Sequence, residues 1–253
     1  MEIITSKQNP KMKELRKLAK AKERQRQGRY LIEGEHLIEE AVQAEVEIEH
    51  IIVTEAYYHS KEKELHESIL IVTSEDVFNS LSSLPSPQGI MAVLPIKNIE
   101  LPDKATGKWL LLDEVQDPGN VGTLVRTADA AGYQGVIIGE GSADIYQPKV
   151  LRSMQGSHFH LPVISVALTQ AIDWFHEHQV PVYGTALDET ALPYYEVVRT
   201  NDLAIIMGNE GKGIRPELLA KTTKNLYIPM PGKAESLNVG VAAGIILFET
   251  IKK

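Results

Sequence analysis

The 253-residue chain has no cysteine. Disulfides and thiolate metal centres are therefore excluded, and the composition fits a reducing compartment, the cytoplasm. No apolar run approaches the ~20 residues needed to cross a bilayer. The opening MEIITSKQNP lacks the apolar stretch of a secretory leader. A positive charge balance is also missing: the formal net charge of −8 argues against nucleic acid if the chain is read as a whole. The eight histidines show no metal-ligand spacing, and His158 and His160, flanking Phe159, read as ordinary helix-end residues, so no metal is expected. Three enzyme signatures are absent. GNEGKG at 208–213 lacks the spacing and the Ser/Thr of a Walker loop. Gly139-Glu140-Gly141 is only a GxG. No Gly-x-Ser-x-Gly elbow offers a nucleophile. There are no repeats and no low-complexity segments.

The charge is unevenly spread. Residues 1–30 carry ten basic side chains (Lys7, Lys11, Lys13, Arg16, Lys17, Lys20, Lys22, Arg24, Arg26, Arg29) against Glu2, Glu14 and Glu23. Such asymmetry marks either an arm that meets phosphate or a solvated helix face. Met12, Leu15, Leu18 and Ala19 recur near a 3.6 period, which predicts one helix over 5–27, stopped by Gly28. Strand and helix then alternate: GRYLIE, a helix from Gly34, IEHIIVT, a helix over KEKELHESI, ILIVT, a helix opening at Ser74, and GIMAVLPI. This predicts a small α/β recognition domain over 1–96. KNIELPDKATG (97–107) is polar and aperiodic and reads as a linker.

From Lys108 to the end the alternation continues and predicts a mostly parallel α/β sheet. WLLLDEV runs into a QDPGN turn, with Asn120 placed to cap the helix VGTLVRTADAAG. Lys149, Arg152 and Ser153 open a later helix as a phosphate-contacting surface. LAIIMG (203–208) then runs into GNEGKG, and NLYIPM (225–230) into PGKAES, before a helix opening with Ser236-Leu237-Asn238. One such corner is an ordinary turn. Two in series, with a third polar turn upstream, point to a ligand site at the carboxyl ends of strands. Gly208, Gly211 and Gly213 permit close backbone approach and positive φ, and Asn209 and Glu210 are the polar groups expected to face that space.

Three segments together resemble the SpoU-type (TrmH-like) RNA ribose 2′-O-methyltransferases of the SPOUT class. They are DPGNVGTLVRTADAAG (Asn120, Gly122, Arg126), IIMGNEGKGI (Gly208, Asn209, Glu210, Gly213) and IPMPGKAESLNVGVAAGIILFE (Pro229, Ser236, Leu237, Asn238). Their order and spacing match across residues 108–253. GRYLIEGEHLIEEA and PSPQGIMAV resemble the small RNA-binding substrate domain often fused ahead of that catalytic domain. Gly240 departs from relatives that carry Ser there. The resemblance implies a C-terminal α/β trefoil-knot domain, S-adenosylmethionine as cofactor, an obligate homodimer and an RNA substrate, ribosomal rather than transfer RNA. It implies cofactor contacts at Gly208, Ile228, Met230 and Leu237. Arg126 would sit at the reacting 2′-hydroxyl, with Asn120 orienting it or the ribose. Glu210 would hold Arg126 or take the proton, and Ser236 and Asn238 would order the third motif. The competing readings are a transfer-RNA methyltransferase, a non-catalytic ribosome-assembly factor on the same fold, and a generic nucleotide-binding α/β enzyme with phosphate at GNEGKG.

Overall fold

The structure, a computed structural model, describes residues 1–61 and 67–251. They form two compact units, Met1–Lys97 with Tyr146–Phe159, and Asn98–Ile145 with His160–Lys253.

The first unit is a mixed five-stranded sheet. Its chain order is β1 (Glu2–Ile4), α1 (Pro10–Lys17), α2 (Ala21–Gln27), β2 (Arg29–Glu33), α3 (Glu35–Gln43), β3 (His50–Thr54), α4 (Glu55–Lys61), β4 (Leu70–Thr73), α5 (Glu75–Asn79) and β5 (Ile90–Pro95). The strand order is β1-β4-β3-β5-β2, with β5 antiparallel to both its neighbours. Ile4, Met12, Leu15, Ile52, Ile71, Phe78 and Met91 fill the core. The single helix expected over 5–27 is instead two helices, which follow the short strand β1. Pro10 at the first helical position and the Asn9 cap start α1 there, and the chain breaks at Leu18–Lys20 so that Leu18 enters the core. Gly28 does end α2, at φ 65°. Ser74 occupies the cap position of α5 but makes no side-chain capping bond. Residues 62–66, the middle of the expected helix KEKELHESI, lie outside the described residues.

The basic arm is less available than its composition implies. Arg24 is buried, donating to the Leu18 carbonyl at 2.7 Å. Lys11 pairs with Glu2, Lys17 with Glu14, Arg26 with Glu14 and Glu23, and Arg29 with Glu49. Lys13, Lys20 and Lys22 remain exposed.

The second unit runs β6 (Lys108–Leu112), α6 (Pro118–Ala130), β7 (Gly135–Ile138), β8 (Val163–Ser165), α8 (Leu168–Glu177), β9 (Val182–Thr185), β10 (Leu192–Pro193), β11 (Leu203–Met207), α9 (Pro216–Leu219), β12 (Lys224–Tyr227) and α10 (Val239–Thr250). Between β7 and β8 the chain contributes α7 (Pro148–Met154) to the first unit, although sequence alone assigns that stretch to the second domain. The seven strands are all parallel, in the order β10-β12-β9-β11-β6-β7-β8. Parallel sheets are covered on both faces, which explains the unbroken apolar runs WLLL and LAIIM. Trp109, Leu111, Ile137, Phe175 and Ile206 lie in its core, each burial contributing about 1.5–3 kcal/mol. The aperiodic 97–107 stretch is anchored after all: Ala105 is buried and Leu101 packs on the same core. After β6 the chain builds β7 and β8 on one side, then returns to place β11 and β9 on the other. The order reverses at β6 and β11, where open α/β sheets form a crevice beyond their strand ends.

Candidate functional site

Three loops meet at that crevice. The first follows β6. Asp117, not Asn120, caps α6 by accepting from the Asn120 backbone N–H at 2.9 Å, and Pro118 takes the first helical position, where no donor is needed. Asn120 therefore lies inside the first turn with its side chain free to reach outward.

The second loop follows β11. Asn209 and Gly213 exchange backbone hydrogen bonds of 3.0 and 2.9 Å, which closes Glu210–Lys212 into a tight hairpin. The three glycines serve different ends. Only Gly213 has positive φ, at 71°. At Gly208 a Cβ would stand 2.4 Å from the Gly213 carbonyl carbon, so glycine is required by approach alone. At Gly211 a Cβ would make only an ordinary contact, with Asn209 Oδ1 at 3.7 Å. Asn209 borders the crevice, but its polar atoms serve the turn. Its Oδ1 accepts from the Gly211 and Lys212 backbone N–H groups, and its Nδ2 donates to the Glu114 carbonyl at 2.9 Å. It is a turn former.

The third loop, residues 228–238, leads to α10. Asn238 caps that helix, its Oδ1 accepting from Gly240 at 2.9 Å and Val241 at 3.3 Å. A Cβ at Gly240 would lie 3.0 Å from Thr123 Cγ2, so this glycine admits a close approach of α10 to α6.

Asn120 joins the three loops. Its Nδ2 donates to Glu210 Oε1 at 2.9 Å, and its Oδ1 accepts from Asn238 Nδ2 at 3.0 Å. Glu210 is thus held by Asn120, not by Arg126. Arg126 lies six residues further along α6 and is exposed. Ser236 is exposed on the third loop.

Beside this chain of side chains opens a cavity of about 620 Å³. Gly208, Ile228, Met230, Ser236 and Leu237 all line it, with Leu226 and Ala242 adding apolar surface and Glu210 and Glu235 negative charge. Sequence reasoning missed Asp113 and Arg215. Asp113 is completely buried where β6 ends, and it accepts from Arg215 Nε at 2.7 Å and from the Arg215 backbone N–H at 2.8 Å. Burial alone lowers the Arg215 pKa, but the bond and charge of Asp113 outweigh it and hold the guanidinium above its ordinary value. A charged residue closing the apolar run WLLL was the available signal. Elsewhere, His160 pairs with Asp129 at 2.9 Å and His158 contacts Tyr30. Among the described residues no cluster of three potential metal ligands occurs, and no helix is long and apolar enough to cross a membrane.

Residues 108–248 match the model of the SpoU rRNA Methylase family, and residues 9–92 that of the MRM3-like substrate binding domain. The chain is 44% identical, over 98% of both chains, to the 23S rRNA (guanosine(2553)-2′-O)-methyltransferase RlmP of Bacillus subtilis. It is 35% identical to the 23S rRNA (guanosine-2′-O-)-methyltransferase RlmB of Acinetobacter baylyi, over 71% of this chain and 77% of that one. Among solved structures, an AdoMet-bound rRNA methyltransferase from Sinorhizobium meliloti superposes with a TM-score of 0.87 at 27% identity, covering 98% and 97% of the two chains. These findings bear out the resemblance carried by the three motifs and the α/β fold it implies: the chain belongs to the SpoU rRNA methylase family.

Proposed function

We propose that this protein is an S-adenosylmethionine-dependent methyltransferase that modifies a ribose 2′-hydroxyl, at a guanosine of large-subunit ribosomal RNA, and that it works as a cytoplasmic homodimer. The observation that carries the reading is the Glu210–Asn120–Asn238 chain, which links all three motif loops beside the cavity. RlmP, which matches 98% of this chain, is named for 23S rRNA.

The cavity's residues fit the cofactor. Leu226, Ile228, Met230, Leu237 and Ala242 offer the apolar faces that a purine needs. Backbone groups at Gly208, Ile228 and Leu237 would meet its polar edge, and Glu210 and Glu235 favour a cationic centre. When bound, the cofactor supplies an electrophilic methyl group.

The chain's own task is then to hold and deprotonate the hydroxyl. Arg126 presents donors only and has no acceptor, so it does not take the proton. It stabilises negative charge developing on O2′ and grips the adjacent phosphate. Glu210 is anchored through Oε1, which leaves Oε2 to accept the proton. Asn120 and Asn238 hold Glu210 in place, and the Ser236 hydroxyl meets the ribose. The first unit binds the RNA, with Lys13, Lys20 and Lys22 on its exposed surface; each such phosphate contact strengthens binding at low salt.

The homodimer is supported by apolar surface left open on α10, where Val241 is 53% and Phe248 45% exposed. Patches of this kind mark interfaces. The trefoil knot is supported by α10 returning from β12 to pack along α6 and against β11. Ribose-methylation mapping of ribosomal RNA from cells lacking the protein tests the proposal. One 23S guanosine should lose its methyl and regain it with the wild-type chain but not with Arg126→Ala. Unchanged methylation at every site would refute it.

A further inference from the structure

A buried carboxylate is costly unless it is paired and hydrogen-bonded. Asp113 is wholly buried yet does not line the cavity. Its two oxygens accept from one residue, Arg215, through the side-chain Nε at 2.7 Å and the backbone N–H at 2.8 Å. Arg215 is the first residue beyond the 208–214 loop and stands at the cap of α9. The next residue along β6's exit, Glu114, binds the other end of the same loop, its carbonyl accepting from Asn209 Nδ2 at 2.9 Å. Glu114 adopts φ 52°, unusual for a residue with a side chain. Entrance and exit of the loop are therefore tied to consecutive residues of β6's exit. The Asn209–Gly213 bridge closes the loop between them.

A buried ion pair is a poor choice if stability is all that matters, because well-packed apolar residues often do as well or better. What a planar guanidinium adds is direction. We infer that Asp113, acting through Arg215, is a positioning residue that seats the 208–214 loop, and so sets both the wall of the cavity at Gly208 and the location of Glu210. This rests on the reading of the cavity as the cofactor site.

Three variants and two readouts besides turnover test it. The variants are Asp113→Asn, Arg215→Lys and the double exchange Asp113→Leu/Arg215→Met. The double exchange replaces the pair by apolar contacts and so separates packing from direction. Calorimetric titration with S-adenosylhomocysteine reads the cavity, and amide hydrogen exchange of Gly211, Lys212 and Gly213 in the ligand-free protein reads the loop. The double variant should melt somewhat below the wild type, because the Arg215 backbone N–H loses its acceptor, yet bind S-adenosylhomocysteine about tenfold more weakly or worse, in line with the cost of small misplacements. Its loop amides should exchange faster, and its affinity for RNA should hold. Arg215→Lys keeps the charge and the backbone donor but not the fork, and should fall between. If the double variant keeps both wild-type affinity and wild-type exchange, Asp113 is only structural and the inference is wrong. Should Asp113 variants fail to fold, Arg215→Lys alone decides: unchanged affinity and exchange overturn the inference. A wild-type protein that binds no S-adenosylhomocysteine overturns the cofactor reading instead, and loop exchange then decides whether the clasp exists.

Discussion

Gly208→Ala is the sharpest probe of how backbone approach builds the cavity. The added Cβ would stand 2.4 Å from the Gly213 carbonyl carbon, 2.5 Å from the Ile214 nitrogen and 2.6 Å from the Gly213 oxygen, where ordinary contact begins at 3.4 Å. All three are backbone atoms, so no side chain can swing away. The second arm of the hairpin must retreat by about 1 Å, and overpacking of this sort costs about 1–3 kcal/mol. Stretching the two Asn209–Gly213 hydrogen bonds adds about 1 kcal/mol each. At roughly 2–4 °C per kcal/mol for a chain of this size, Tm should fall by roughly 6–20 °C while the protein still folds. Function should suffer more, because a 1 Å misplacement costs on the order of 100-fold. Gly211→Ala, where a Cβ would meet only Asn209 Oδ1 at an ordinary 3.7 Å, is the control and should change stability by no more than about 0.5 kcal/mol. Calorimetric titration with S-adenosylhomocysteine, alongside thermal melts of both variants, checks this. Equal affinities for Gly208→Ala and the wild type would refute the claim that close approach at Gly208 shapes the cavity.

Arg126 is exposed, so Arg126→Ala should shift stability by less than about 0.5 kcal/mol while lowering methyl transfer by about 100-fold or more; single-turnover assays and melts separate the two. Val241→Glu combined with Phe248→Glu places charge on the open face of α10 and should convert a dimer to monomers in analytical ultracentrifugation, with transfer lost. His50 is held below its ordinary value of 6.5 by burial and then by Lys11. A depressed folded pKa means that its contribution to stability is present above the unfolded value and is lost as pH falls through the folded one. Denaturant titrations between pH 7 and pH 5 should therefore show a decline that His50→Asn flattens.

Much of the fold was legible because its signals are local. The apolar runs of β6, β11 and β12, the alternation of strand and helix and the stop at Gly28 mark elements that the structure contains. Site loops were legible as polar, glycine-rich exits from strands. What stayed hidden depends on partners distant in sequence. Asn120 fits a cap by residue type, and only the placement of Asp117 ahead of Pro118 shows it turned toward Glu210 and Asn238. Asn209 lines the cavity, but Glu114, 95 residues away in sequence, claims its amide nitrogen. The basic arm counts as ten charges in composition, yet Arg24 is spent inside the first unit and others on neighbouring carboxylates. Asp113 and Arg215, 102 residues apart, had no local signature as a pair.

The central claim is methyl transfer to a ribose. Its most direct test incubates the purified protein and labelled S-adenosylmethionine with ribosomal and transfer RNA from cells lacking the protein, and identifies the labelled nucleoside after digestion. 2′-O-Methylguanosine should appear in 23S rRNA, and should be absent with Arg126→Ala. Label on a base, or in transfer RNA alone, would contradict it.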